Sequence, residues 1–346
     1  MAKVFSFVQK YLLWLIIASI VLGLVFTKLT GGYAFTPVVC LLAALVMIYP
    51  SLVPLEFDRI REVGQHKQKI FWTLIINFLF APLLAIVIGA LFLQHDPSLW
   101  LGLILLSILP GGGMVTTWAF KSKADMPLTI SVVFVNLLVA IVLVPIYLAT
   151  AINKLNLLFE QTAGQACVAE QVTNGAVNCL FGNSGGVSPL KIALPILFIV
   201  IIPLILAYMT QQQLKHKYGQ EAFSKIKQQF AAASNLGMLV VLFVLMGIKN
   251  NIVIFEHPEY ILKAILPLLL FYISNLLISW QLKKMIGGAE GRAMFWGTYL
   301  RYVTLALGLS ISLVYQNPAY NLAVIVVVMA YLIQIPSSFW LAKKLS

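Results

Sequence analysis

The stretch that decides the fold is SILPGGGMVTTWAFKSKAD, Ser107 to Asp125. Pro110, Gly111, Gly112 and Gly113 interrupt an apolar segment there, and a helix interior loses several kcal/mol to such a run, about 3 for the proline and about 1 for each glycine. A helix facing lipid does not keep a break of this kind, because backbone groups freed in hydrocarbon find no water to bond. The break is tolerated where the backbone is buried in protein or lines a cavity. Ser107 to Asp125 therefore reads as a transmembrane helix broken at its middle, with the break as a candidate binding site.

The rest of the chain agrees with a membrane setting. Of 346 residues, 61% are hydrophobic and 10% charged, with a mean hydropathy of +0.96, which places the chain outside the soluble globular class. A net charge of +12 raises the question of nucleic acid, but the basic residues are scattered through short loops and form no basic domain, so no nucleic-acid partner is expected. The partner implied is the lipid bilayer.

Apolar stretches long enough to cross a bilayer fall at Tyr11–Thr27, Phe35–Val53, Ile70–Leu93, Ser98–Phe120 and Met126–Ile152, then at Pro189–Gln211, Phe230–Ile248, Ile261–Gln281, Met294–Tyr315 and Pro318–Leu341. The expected fold is an all-α polytopic membrane protein with ten transmembrane helices. It divides into a first five-helix repeat (1–152), a periplasmic loop (153–188) and a second five-helix repeat (189–346). With the N-terminus inside, 17 Lys and Arg residues fall in inner segments and five (Lys28, Lys154, Lys191, Lys249 and Lys263) in outer ones. This asymmetry puts both termini in the cytoplasm of a cell with an inner membrane. Five spans per half also insert in opposite directions, as an inverted repeat requires.

In the second half the counterpart of the broken fourth span is the ninth, MFWGTYLRYVTLALGLSISLVY, with Gly297, Thr298, Thr304, Gly308 and, well inside, Arg301. A charge within the hydrocarbon region is a functional candidate by default. All eleven acidic residues fall in loops or at span ends, so no carboxylate is expected beside Arg301. Two partners remain: backbone carbonyls of the broken helices, or an anionic ligand that suits a planar guanidinium. The expectation favours the anion. The four histidines also lie in loops, which leaves only Asp125, near the inner surface, for proton coupling.

Asn77, Asn136, Asn275, Gln334, Thr116, Thr117 and Thr129 are the other polar residues within spans. Any one of them serves more often as a hydrogen bond between helices than as a ligand. Thr116 and Thr117 differ because they follow the break, where the N–H groups of a half-helix present a positive end to an anion. Cys167 and Cys179 share the outer loop and are expected to form a disulfide; the other reading of the pair, a thiolate site for soft metals, needs reduced thiols. Glu56–Lys69 and Gln211–Gln229 are basic and amphipathic, and are expected along the anionic inner leaflet. No Walker, dinucleotide, HExxH or GxSxG motif is present, so no enzyme is expected, and no bound metal. No interface pattern specifies an oligomeric state.

Several of these residues carry a family resemblance. VMIYPSL (Val46–Leu52), NFLFAPLL (Asn77–Leu84), LFL (Leu91–Leu93) and MVTTW (Met114–Trp118) with Lys123 and Asp125 resemble the arsenite-permease branch of the superfamily that joins bile acid/sodium symporters with arsenical-resistance permeases. The Pro-Gly-Gly at Pro110–Gly112 is similar to the bile-acid-type carriers. The resemblance implies a five-plus-five inverted repeat with broken, crossing helices four and nine, in panel and core domains formed from both halves. The fourth-helix cysteine of arsenite permeases corresponds to Gly111. Of the sodium ligands in bile-acid-type symporters, only Thr116 and Thr129 stand at positions with a suitable oxygen, which makes sodium a candidate coupling ion and otherwise implies no cofactor.

The function expected from these features is secondary transport of a small, organic or inorganic anion by alternating access. The expected site is the crossing, formed by Gly111, Gly112, Gly113, Thr116, Thr117, Thr298, Arg301 and Thr304. Arsenite efflux is the first alternative, and a membrane receptor that binds without transport is the second.

Overall fold

A computed structural model of the chain describes residues 11–32, 49–50, 52–53, 64, 66–170, 189–247, 259–316 and 320–346. Most of the second span (Phe35–Val53) and of the amphipathic segment Glu56–Lys69 lies outside the described residues, as do Cys40 and Cys179. The described residues are helical, with one isolated β-bridge between Pro110 and Arg301.

The helices are α1 (Leu12–Thr30), α2 (Lys67–Phe92), α3 (Pro97–Ile108), α4 (Gly113–Lys121), α5 (Met126–Glu170), α6 (Pro189–Met246), α7 (Glu259–Ile286), α8 (Gly288–Tyr299), α9 (Val303–Gln316) and α10 (Asn321–Leu345). Among the described residues, Lys67–Phe92, Met126–Leu155, Glu259–Ile286 and Leu322–Leu345 are long and apolar enough to cross a membrane. The faces of these helices divide as a bilayer requires. On α2, Leu79, Leu83 and Leu91 are exposed while Asn77 is fully buried, so apolar groups face outward and the polar one inward. The chain is a multi-pass membrane protein.

Three local features position the site. Pro82 has no N–H to offer the Phe78 carbonyl, and α2 widens just before it into a π-turn, Ile76–Phe80. The freed Phe78 carbonyl accepts a hydrogen bond from the Tyr147 hydroxyl of α5, and the turn carries Asn77 into the interior. Asp125 starts α5, accepting from the Leu128 N–H through Oδ1 at 2.8 Å, so the one acid available for proton coupling is a helix cap. α7 and α8 form a tight antiparallel pair through Gly287 (φ 74°) and Gly288 (φ 55°), which returns the chain from a full-length span into a half-helix.

Two boundaries differ from the sequence reading. α5 continues beyond Ile152 as far as Glu170, because the polar residues that end the apolar stretch are themselves compatible with helix. Cys167 therefore stands on helix, and its expected partner Cys179 lies outside the described residues. The stretches expected as the sixth and seventh spans form the two arms of α6, joined through Gln211–Gln229, which is helical apart from Gly219. Gly219, at φ 77° and ψ 169°, holds a conformation open essentially to glycine alone.

Candidate functional site

The fourth span is broken as its sequence indicates: α3 ends at Ile108, the chain runs extended through Leu109 and Pro110, and α4 starts at Gly113. The ninth span is broken as well. α8 ends at Tyr299, Leu300 is extended at φ −74° and ψ 143°, and α9 starts at Val303. The two breaks lie side by side and antiparallel, and the Tyr302 N–H donates to the Leu109 carbonyl at 3.1 Å.

Glycine is required at this approach. A Cβ on Gly111 would lie 2.9 Å from the Leu300 carbonyl oxygen and 2.4 Å from Val115 Cγ2, and one on Gly112 would lie 2.6 Å from the Tyr302 ring. The other edge of the second break is closed by Gln334 of α10. Its Oε1 accepts from the Arg301 N–H at 2.9 Å and its Nε2 donates to the Arg301 carbonyl at 3.1 Å. Tyr272 donates its hydroxyl to the same Oε1 at 3.0 Å and fixes the amide's orientation. The bonds that a helix would have made are thus supplied by a neighbouring strand-like segment on one edge and by a side-chain amide on the other.

Arg301 is 2% exposed, and protein groups occupy its guanidinium. Nη1 donates to Asn77 Oδ1 and to the Ser107 carbonyl, each at 3.3 Å; Nη2 donates to Asn275 Oδ1 at 2.7 Å and to the Thr298 carbonyl at 3.1 Å. The Phe271 ring lies 5.6 Å from Cζ, while Nε has no partner. Asn77 and Asn275 extend the web, donating to the Gly297 carbonyl and to the Thr298 and Tyr299 carbonyls. Of the two partners open at the sequence level, the carbonyls of the broken helices are the ones that hold Arg301. Asn77, Asn275 and Gln334 are the neutral groups that complete the arrangement. Pro82, one turn past Asn77, was the available signal for the π-turn that aims it.

The electrostatic consequence follows from which helix ends are engaged. Ser107 and Thr298 lie at the C-terminal, negative ends of α3 and α8, and Arg301 neutralises these without adding a carboxylate. The N-terminal, positive ends of α4 and α9 point at the same crossing, and α4 carries no side-chain cap. Among the described acids, Asp96 pairs with Lys263, Glu290 pairs with Lys69 and Asp125 caps α5, and none of the hydrogen bonds at the crossing ends on a carboxylate. The crossing therefore holds an excess of positive charge.

The expected site residues divide between two settings. Gly111, Gly112 and Arg301 are buried at the crossing, with Gly113 at the start of α4 and Thr304 buried in the first turn of α9. Thr116 is buried and donates its hydroxyl to the Gly113 carbonyl at 2.8 Å. Thr117 points away from the interior and is exposed. Thr298 is fully buried, its Oγ1 2.9 Å from Ser279 Oγ and from the Met294 carbonyl, so it braces α8 against α7. Thr129 donates to the Asp125 carbonyl at 2.6 Å. Thr116 and Thr129 each spend their hydroxyl hydrogen on a carbonyl of their own helix, and their oxygens keep the lone pairs that a sodium ion would use. Among the described residues, no group of three His, Cys, Asp or Glu side chains could hold a metal ion.

On the side of α4 away from the crossing, the two broken helices are strapped together. Trp296 Nε1 donates to Ser122 Oγ at 2.7 Å, the Trp118 and Trp296 rings stack at 6.1 Å, and the Asp125 N–H donates to the Ala289 carbonyl at 3.0 Å. Arg292 adds a bond from Nη2 to the Lys123 carbonyl at 2.7 Å.

Comparison with known proteins adds an independent line. The family model of the Sodium Bile acid symporter family matches residues 39–256. The chain is 23% identical over 367 residues to the Arsenical-resistance protein Acr3 of Alkaliphilus metalliredigens, a match that covers 99% of this chain and 93% of that protein. It is 31% identical over 142 residues to the Arsenical-resistance protein Acr3 of Corynebacterium glutamicum, covering 38% of each. The Uncharacterized transporter slr0944 of Synechocystis is 24% identical over 292 residues, covering 75% of this chain and 68% of that one.

Proposed function

The chain belongs to the Sodium Bile acid symporter family, and from that premise we propose that it is a secondary carrier of a small anion, bound where the two broken helices cross. The observation that carries the reading is the charge left over at the crossing: Arg301 satisfies the C-terminal carbonyls of α3 and α8, and the positive N-terminal ends of α4 and α9 face the site with no described carboxylate beside them. Fixed dipoles and a desolvated charge of one sign attract an anion without any reorganisation on binding.

In this proposal the solute meets the N–H groups at Gly113 and Met114, the Thr116 and Thr304 hydroxyls, and the field of Arg301. Gly111 and Gly112 allow the breaks to touch, and Thr298 holds α8 in place. Thr117, on the exposed side of α4, enters only if the neighbouring surface closes over it during the cycle. The strapped pair of broken helices forms the core domain of a five-plus-five inverted repeat of ten spans, and it moves against a panel of the remaining helices so that the crossing opens to each side in turn. Both ends of the chain are placed in the cytoplasm. No step is routed through sodium.

Arsenical efflux is the second reading, favoured by the names of two relatives. Arsenous acid is uncharged at neutral pH and gains nothing from the positive field. The position matched to the permease cysteine is Gly111, where the Leu300 carbonyl leaves no room for a side chain. Flux in proteoliposomes separates the readings. Saturable uptake of a carboxylate or oxyanion, measured with and without a sodium gradient, is expected. Arsenite flux with no anion flux would replace the anion reading, and saturable binding with no flux of either would make the protein a receptor.

A further inference from the structure

Three helices finish in lysine at one end of the bundle: α4 with Lys121, α7 with Lys283 and Lys284, and α10 with Lys343 and Lys344. Helix dipoles alone favour cations at such ends, but they do not gather cations from different helices onto one group. Here they are gathered. The Lys283 ammonium of α7 lies 4.5 Å from the centroid of the Trp280 ring, and the Lys344 ammonium of α10 lies 5.2 Å from the same centroid. The two charges are therefore within about 10 Å of each other, about a Debye length at 0.1 M salt. Lys344 also lies 5.0 Å from the Trp340 ring. On the neighbouring surface, Lys121 lies 4.5 Å from Trp118 and 5.0 Å from Phe339.

None of Lys283, Lys284, Lys343 and Lys344 is ion-paired among the described residues. Directly beside these charges the surface is apolar: Met285 is 80% exposed, Trp340 60% and Phe339 44%. Indole rings beneath ammonium groups, with bare hydrocarbon on the adjoining face, match the boundary between headgroups and acyl chains. The charge asymmetry of the loops places this end of the bundle at the cytoplasmic leaflet, where anionic lipids supply phosphate.

We propose that the ends of α7 and α10, through Lys283, Lys344, Trp280 and Trp340, form a binding site for the phosphodiester headgroup of an anionic phospholipid, with Met285 and Phe339 against its acyl chains. The occupant relieves the repulsion between the converging lysines and ties α7 to α10. The site does not depend on which solute the carrier moves.

The test measures lipid binding to the purified full chain in neutral detergent, by native mass spectrometry and by melting temperature. The probes are phosphatidylglycerol, phosphatidylcholine with the same acyl chains, and soluble glycerol phosphate. Wild type should bind phosphatidylglycerol at least tenfold more tightly than phosphatidylcholine. The preference should fall at least fivefold in the double variant Lys283→Gln/Lys344→Gln and persist in the charge-matched control Lys67→Gln/Lys154→Gln. Melting in lipid-free detergent shows whether each variant is folded, and the single variants Lys283→Gln and Lys344→Gln serve should the double variant unfold. Equal binding of the two lipids, or a preference that survives these substitutions, overturns the proposal. Stabilisation by glycerol phosphate equal to that by phosphatidylglycerol also overturns it, since the surface would then read free phosphate and not a lipid.

Discussion

Replacing Arg301 tests whether the guanidinium holds the two breaks together. Its four bonds end on Asn77 Oδ1, Asn275 Oδ1 and the Ser107 and Thr298 carbonyls, all in a region where Arg301 itself is 2% exposed. A buried acceptor stripped of its donor costs about 1–3 kcal/mol. In Arg301→Lys a compact ammonium replaces a planar fork that reaches acceptors on α2, α3 and α7, so at least one of them is poorly met and stability should fall by about 1–3 kcal/mol. Arg301→Ala strips the Asn77, Asn275 and Ser107 oxygens, while the Thr298 carbonyl keeps the Asn275 amide, a gross loss of about 3–9 kcal/mol. Removing the buried charge returns part of this as recovered desolvation, so the net loss is smaller than that sum. Melting of the purified proteins in one detergent, followed by tryptophan fluorescence, should therefore rank wild type above Arg301→Lys and Arg301→Ala lowest. If Arg301→Ala melts with wild type or above it, the guanidinium does not brace the crossing, and the argument from its hydrogen bonds fails.

Other substitutions probe separate parts of the account. Gly111→Ala drives a methyl to 2.9 Å from the Leu300 carbonyl; the breaks must separate, which should cost about 1–3 kcal/mol in a melting experiment and abolish flux in proteoliposomes. Ser122→Ala leaves the buried Trp296 indole N–H without its partner at 2.7 Å and should lower stability by about 1–3 kcal/mol, while anion affinity, set at the far end of α4, stays unchanged in a binding assay. Asn77→Asp places a carboxylate against Arg301 and gives up one donor, to the Gly297 carbonyl at 2.9 Å. The new ion pair offsets much of that loss, so the variant should fold, melt near wild type, and bind anions at least tenfold more weakly by calorimetry.

Much of this arrangement is legible in the sequence because helix breakers in an apolar run have few explanations. Pro110–Gly113 announces the first break, and Arg301 among apolar residues marks the second as unusual. The partners of Arg301 are less legible. Asn77 reaches it only because Pro82 widens α2 into a π-turn, and a proline in an apolar span reads equally well as an ordinary kink. Gln334 is one amide in an apolar helix, and nothing local says that it replaces the backbone bonds of a segment 33 residues earlier. The apolar stretch stops close to Ile152, the membrane-length segment running to Leu155, whereas α5 continues for as long as its residues tolerate helix, and hydropathy reports only the first of these.

The central claim is that the crossing is a positively charged site for an anion. Its most direct test is a thermal-shift titration of wild type and Asn77→Asp against carboxylates, phosphate, sulfate, arsenate and arsenite. A ligand at a hundred times its dissociation constant adds about 2.7 kcal/mol of apparent stability, well within detection. The account predicts that at least one anion stabilises wild type and that the shift shrinks in Asn77→Asp. Stabilisation by arsenite alone, equal in the two proteins, would contradict it.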